Sequence, residues 1–178
     1  MNLLTLGPLP VTAPLVLNPL MARMVEAAGF PAGYLGGGAT GYQKVALEAN
    51  LNVTEMCQAA IDIHAVSSLP LILDAACGYD DPMHMHRTIG MSEAAGFAAI
   101  EIEDQLVPKR AHHHIGIEHM IPIELMAAKV KEAVAAWRPG ARHGSGGAAG
   151  AVLWRGFLSN ILLERGSDAQ SYRRSRCG

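Results

Sequence analysis

Short apolar runs that close on glycine or carboxylate, each separated from the next by a helical stretch, restrict this chain more than any other feature of its sequence. Pro14 to Leu17 is the first run, ended by Asn18-Pro19. Ala32 to Leu35 is the second and ends in Gly36-Gly37-Gly38. Leu69 to Asp74 is the third, with a carboxylate at its end, and Ala98 to Glu103 is the fourth, with Glu101, Glu103 and Asp104 at or near its end. Between them, Leu20 to Ala28 sets Met21, Met24 and Val25 on one helical face and stops at Gly29, with Pro31 just beyond. Thr54 is expected to cap a helix running to about Ser67, with Glu55 in its first turn. Pro82 to Ala95 reads as a helix closed by Gly96, and Ile121 to Ala136 as a long amphipathic helix with Pro122 near its first position.

Strands alternating with helices build βαβ units on a parallel sheet, with right-handed crossovers. The expected fold class is therefore α/β. In such folds ligands bind at the C-terminal ends of the strands, which directs attention to Gly36 to Gly38, Asp74 and Glu103-Asp104. After Trp137 the pattern breaks: 138–150 is mostly Gly, Ala and Arg, Ala151 to Leu163 is apolar enough for a helix or a strand, and Ser167 to Gly178 is polar and basic. Residues 1–137 are thus expected to form one domain of about four βα units, with 138–178 a divergent or non-native tail that fits a shifted reading frame or an artificial junction.

Composition narrows the function classes. With 50% hydrophobic residues the chain can build a core, and a net charge of −2 leaves no footprint for nucleic acid outside the tail. The tail arginines Arg165, Arg173, Arg174 and Arg176 read as solvated. No basic segment leads into an apolar run at the start, and no apolar stretch reaches the roughly 18 residues of a membrane span, so neither signal peptide nor membrane partner is expected. Cys57, Cys77 and Cys177 lie far apart without a CxxC pair, which suits a reducing cytoplasm.

Three segments carry a family resemblance, over about residues 12 to 136. Glu26-Ala27-Ala28-Gly29-Phe30 is followed by Tyr34-Leu35-Gly36-Gly37; Leu71 to Tyr79 reads LILDAACGY; and Ile102-Glu103-Asp104-Gln105 is followed by Pro108-Lys109-Arg110. Together and in order they resemble the isocitrate lyase/phosphoenolpyruvate mutase superfamily, with its AGF then Y-x-S-G, its D-x-D-x-G-[YF] and its I-E-D-Q…P-K-[RK]. The resemblance implies a parallel (β/α) barrel of the TIM type, here apparently cut to about four βα units, since a whole barrel needs about 250 residues.

It also implies a divalent cation, Mg²⁺ or Mn²⁺, held by Asp74, at the first Asp of D-x-D, and by Glu103, at the Glu of I-E-D. Ala76 stands where the family has its second Asp, so one carboxylate is missing. Such a cation prefers hard oxygen ligands and lowers the energy of negative charge growing on an enolate oxygen. Read without the family, Asp74 has a competing reading as a cap or turn residue after a strand. Tyr34, Gly36, Gly37 and Glu48 are placed by the resemblance at the substrate, with backbone amides of the glycine pair receiving a carboxylate; a tight turn is the competing reading of the glycines. Glu48 falls near the position of a family Asp.

The loop from Pro108 to Pro122 resembles the K-[KR]-C-G-H of the cleaving members, whose Cys is the acid/base on the substrate carbon. In this chain Ala111 occupies that position, followed by His112, His113 and His114. Alanine exchanges no proton, so Lys109 and His112 are the catalytic candidates, His112 by virtue of its near-neutral pKa. Arg110 and His113 are substrate-binding candidates; for Lys109 and Arg110 a solvated pair is the alternative. Asp80-Asp81-Pro82-Met83-His84-Met85-His86 tempts as a metal site but reads better as a helix start capped by Asp81 with Pro82 at its first position. Cys77 has no evident base beside it.

The resulting expectation is a Mg²⁺-dependent carbon–carbon lyase or decarboxylase acting on small α-keto or α-hydroxy carboxylates through an enolate-like intermediate. The alternatives are a truncated, inactive fragment and a carboxylate-binding protein, because the family draws further substrate contacts, including an Arg after the fifth strand, from a half for which no motif is visible. A half-built barrel exposes a sheet edge, which a homo-oligomer would cover.

Overall fold

The computed structural model describes residues 12–106 and 119–137, together with the backbone of two strands at 151–156 and 159–164. The elements run α1 (Pro19–Ala27), β1 (Gly33–Leu35), α2 (Gly37–Gln43), α3 (Val53–His64), β2 (Leu71–Asp74), α4 (Met85–Ala95), β3 (Ala99–Glu103), α5 (Ile123–Ala136), β4 (Ala151–Gly156) and β5 (Ser159–Glu164), with single 3₁₀ turns at Glu48–Asn50 and Pro82–His84. They form one five-stranded sheet in the order β1-β2-β3-β4-β5. The first four strands are parallel and β5 returns antiparallel on β4. The expected α/β class and parallel sheet are therefore present. The apolar stretch after 150 is a hairpin, so the sheet gains a fourth parallel strand and then leaves the βα progression.

The ladder registers sort the strand residues into two sets. Gly33 pairs Leu71 and Leu35 pairs Leu73, while Leu73 pairs Ile100. These residues, with Ile102, point to the face covered by helices, and Leu35, Leu71, Leu73, Ile100 and Ile102 are all 0% exposed. Tyr34 pairs Ile72, and Asp74 pairs Glu101. This second set, completed by Glu103, is only half-buried. Period-two alternation thus puts Asp74, Glu101 and Glu103 on the face away from the helices. Beneath the other face Val16, Ala22, Met56, Ala60, Ile63, Met85, Ile89, Met126 and Ala133 join the strand residues in one core.

Several boundaries differ from the sequence expectation, each for a local reason. The 14–17 run is only a single bridge, Leu15 to Tyr34, although Val16 N–H to the Tyr34 carbonyl (2.9 Å) and Tyr34 N–H to the Pro14 carbonyl (2.9 Å) keep it beside β1. Asn18 proves to be a cap: its side chain accepts from Met21 N–H, with Pro19 at the first helical position. The glycine run does not stay a loop; Gly36 is the N-cap of α2. Thr54 is not the cap of α3. Asn52 is, and it closes a capping box with Glu55, each accepting from the other's backbone N–H. The helix begins one residue before Thr54 and ends at His64 rather than Ser67. Pro82 starts a 3₁₀ turn that becomes α4 at Met85, and Gly96 closes α4 at φ 90° as expected. Among the described residues no helix is long and apolar enough to cross a membrane.

The capping box yields a direct test. Asn52→Ala should lower unfolding stability by about 1 kcal/mol, whereas Thr54→Ala should lower it by no more than a few tenths. Urea denaturation of both variants checks this, and equal losses would contradict the assignment.

Candidate functional site

Asp74, the last residue of β2, ties the ends of two strands together. Its Oδ2 accepts from Gly37 N–H (2.8 Å), the first turn of α2, and its Oδ1 accepts from Ala76 N–H (3.0 Å). Each oxygen keeps a further lone pair beyond one hydrogen bond, so a cation can still be held. Space at Gly37 is tight: a Cβ there would lie 3.0 Å from Glu48 Cγ and 3.1 Å from Glu48 Oε1, so the Glu48 side chain would have to shift. Glu48 consequently lies over the start of α2. The resemblance places the Gly37 amide at a substrate carboxylate; in the structure that amide donates to Asp74.

Across the same face, Tyr34 donates its hydroxyl to Glu101 Oε2 at 3.0 Å. Burial raises the Tyr34 hydroxyl pKa well above its usual range, and the charges of Asp74, Glu101 and Glu103, with the bond to Glu101, add to the rise. The charges of three carboxylates on one sheet face therefore act on a phenol that stays protonated, and Glu101 is bonded to it directly. The donor set is entirely hard oxygen, which fits Mg²⁺ or Mn²⁺ rather than a thiolate-seeking ion. Sequence reasoning assigns Glu101 no role. A signal for it exists, because a residue two before Glu103 on a strand shares its face.

The loop after Asp74 is tightly shaped. Ala76 (φ 46°), Gly78 (φ 78°) and Tyr79 (φ 72°) all adopt the left-handed region, which costs a non-glycine residue about 1–3 kcal/mol. At Gly78 the φ and the packing agree, since a Cβ would fall 2.5 Å from Met85 Sδ. The loop carbonyls are held in sequence: Ala75 by Gly78 N–H (2.8 Å), Ala76 by Glu103 N–H (2.7 Å), Cys77 by Lys129 Nζ (2.8 Å) and Gly78 by Thr88 Oγ1 (3.1 Å). Tyr79, at the loop's end, has its hydroxyl pKa raised chiefly by burial, then by Asp74, Cys57, Glu48 and Cys77. The two described cysteines are both buried. Burial pushes the Cys57 thiol up to about 11, and Cys77 is 2% exposed with its Sγ 3.8 Å from the Leu106 carbonyl.

Tyr34, Gly36, Gly37, Glu48, Asp74 and Glu103 are thus gathered at the strand ends. Lys109, Arg110, His112 and His113 lie outside the described residues. A cavity of about 400 Å³ is lined by Tyr42, Val45, Ala46, Leu47 and Asn50, and the strand carboxylates are not among its lining residues.

A second oxygen and nitrogen cluster stands at the start of α4. Ligand atoms of Asp80, Asp81 and His84 lie within 4.8 Å of one another, all exposed. Its geometry is that of a cap: Asp81 Oδ1 accepts from Met83 N–H (2.8 Å) and His84 N–H (3.2 Å) and bonds His84 Nδ1 at 2.9 Å, while Asp80 Oδ2 is 3.6 Å from His84 Nε2. The cap role expected for Asp81 is the one found.

Comparison with known proteins adds the following. The family model of phosphoenolpyruvate phosphomutase matches residues 3–141. A 2-methylisocitrate lyase from Aeropyrum pernix is 38% identical over 129 residues, covering 72% of this chain and 42% of the lyase. An oxaloacetate decarboxylase from a Marinomonas species is 36% identical over 121 residues, covering 67% of this chain and 42% of the decarboxylase. The crystal structure of a phosphoenolpyruvate phosphomutase from Streptomyces platensis subsp. rosaceus superposes with a TM-score of 0.74 at 24% identity, over 85% of this chain and 50% of that one. A phosphonopyruvate hydrolase, solved in complex with oxalate and Mg²⁺, superposes with a TM-score of 0.64 at 29% identity, over 72% of this chain and 44% of the hydrolase. The barrel fold expected from the resemblance is the fold of these structures. The chain spans about two fifths of the length of the two relatives.

The cap at α4 makes a pH prediction. The hydrogen bond to Asp81 and the charge of Asp80 raise the His84 pKa above 6.5. A raised folded pKa means that the stabilisation is complete below 6.5 and fades as pH rises through the raised value. In Asp81→Asn the His84 midpoint should fall back toward 6.5, read from the imidazole proton shifts by NMR. An unchanged midpoint would refute the pairing.

Proposed function

Because the chain belongs to the phosphoenolpyruvate phosphomutase family, we propose that it carries the metal and enolate end of a carbon–carbon lyase or decarboxylase acting on small α-keto or α-hydroxy carboxylates. The observation that carries this reading is that Asp74, Glu101 and Glu103 share one sheet face with Tyr34 on three adjacent strands, close enough for all three charges to act on the Tyr34 hydroxyl, which donates to Glu101. The relatives support the substrate class, since they include a 2-methylisocitrate lyase and an oxaloacetate decarboxylase.

In this reading Asp74 and Glu103 hold Mg²⁺ or Mn²⁺, in keeping with the Mg²⁺ of the related hydrolase complex. The cation supplies positive charge where negative charge develops on the substrate oxygen. Everything else falls to the chain. Tyr34, kept protonated by burial and by its carboxylate neighbours, donates toward Glu101 and orients that carboxylate. Gly36, Gly37 and Glu48 shape the mouth of the site beside the start of α2. When the carbon–carbon bond breaks, its electron pair passes into the enolate of one fragment; the other leaves as carbon dioxide from a keto acid or, from a hydroxy acid, as a carbonyl whose hydroxyl proton is given up to a base, and the enolate carbon must then gain a proton. With Ala111 at the family's acid position, His112 is proposed to deliver that proton, with Lys109 beside it and Arg110 and His113 on the substrate carboxylates. Residues 1–137 are the proposed functional unit and 138–178 a divergent tail; a cytoplasmic location and a homo-oligomer covering the open sheet edge complete the proposal. A stable monomer in sedimentation velocity would remove the oligomer.

A second reading has its own observations. The chain covers 42% of each of these two relatives, and Ala76 and Ala111 stand at two functional positions of the family. An inactive fragment that still binds carboxylates fits them.

The deciding assay is Mg²⁺-dependent release of pyruvate or glyoxylate from oxaloacetate, substituted malates and methylisocitrate. Activity is expected, and Asp74→Ala and Glu103→Ala should each reduce it by at least about a hundredfold. No turnover on any substrate from folded protein would establish the inactive reading instead.

A further inference from the structure

Lys129 is the most deeply buried charged side chain described, at 1% exposure. It lies on the apolar stripe of α5, between Met126 and Ala133, where an aliphatic residue would pack without desolvating an ammonium. Burial pulls its pKa down, against the opposing charges of Cys77, Asp80 and Asp81. Its Nζ donates to the Cys77 carbonyl at 2.8 Å. Cys77 sits between left-handed Ala76 and Gly78, so this bond pins the strained turn at its middle. Ala76 N–H in turn donates to Asp74 Oδ1, and Asp74 Oδ2 takes Gly37 N–H. One chain of contacts therefore runs from α5 through the loop to the carboxylate at the end of β2.

We infer that Lys129 is a positioning residue, a buried cation whose bond to the Cys77 carbonyl holds the 75–79 loop in the shape that aims the Asp74 carboxylate. The inference deepens the proposed function, resting on it for the use to which Asp74 is put, but the geometry it claims exists with or without a metal. Thr88, on α4, acts alongside it by donating to the next carbonyl, Gly78.

The test is amide hydrogen exchange on the full 178-residue chain. In Lys129→Met the amides of Ala76 and Gly37, both bonded to Asp74, should exchange about tenfold faster. The amide of Ala60, in the middle of α3, should keep its rate. Lys129→Arg, which retains a charged donor, should restore most of the protection. Wild-type rates at Ala76 and Gly37, or acceleration by the same factor at Ala60, would overturn the inference, the latter because it marks uniform loss of stability. Should Lys129→Met fail to fold, Lys129→Gln carries the same comparison. A Mn²⁺ titration followed by EPR separates this inference from the reading it rests on. Binding should weaken about tenfold in Lys129→Met and vanish in Asp74→Ala. Mn²⁺ binding that needs Asp74 but not Lys129 overturns the positioning role. Binding indifferent to Asp74 sinks the metal reading, and the exchange rates then decide the positioning role alone.

Discussion

The register of the parallel ladder governs this molecule. Leu71 opposite Gly33 and Leu73 opposite Leu35 send one set of side chains under the helices. The same register leaves Tyr34, Asp74, Glu101 and Glu103 on the other face. A slip of one residue would bury the carboxylates and expose the leucines, so the core and the candidate site are two readings of a single alignment. The core thereby protects the site, because five strand residues at 0% exposure make any slip costly.

A parallel sheet also determines where the polar groups can gather. Each strand ends at the same edge, and the following segment must turn back over the helix layer. At β1 the turn becomes the first turn of α2, whose Gly37 amide reaches Asp74 on β2. At β2 it becomes the left-handed 75–79 loop, whose Ala76 carbonyl takes Glu103 N–H on β3. Neighbouring strand ends are thus stitched by the backbone of their own loops, and the Asp74 carboxylate is placed by main-chain bonds.

Much of this is legible in the sequence. The strand runs at 32–35, 69–74 and 98–103, the helix stop at Gly96 and the Asp81-Pro82 cap follow from local rules that the structure obeys. The functional edge follows from the order of elements. What escapes depends on partners distant in the chain. Thr54 and Asn52 are both good caps, and only the return bond from Glu55 selects Asn52. Three glycines argue against a helix by propensity, yet α2 forms, with its first amide taken by Asp74, 37 residues on. Glu101 looks like one more strand-end acid until the ladder sets it within reach of Tyr34, 67 residues away. Lys129 interrupts an apolar stripe, and its acceptor on Cys77 is 52 residues back.

Ala76 joins these threads. The left-handed region suits Asn, Asp and Gly far better than alanine, and the family pattern has Asp there. Alanine brings to that position neither a carboxylate nor a side chain tolerant of φ 46°. The backbone holds that conformation all the same, with its N–H on Asp74 Oδ1 and its carbonyl on Glu103 N–H. Alanine has no side-chain group with which to stabilise this geometry itself, so the stabilisation comes from around it, from β3, from Thr88 and from Lys129 beneath. The shape of the loop is therefore a property of the scaffold rather than of the residue at its corner, and both backbone bonds to Asp74 form with alanine there.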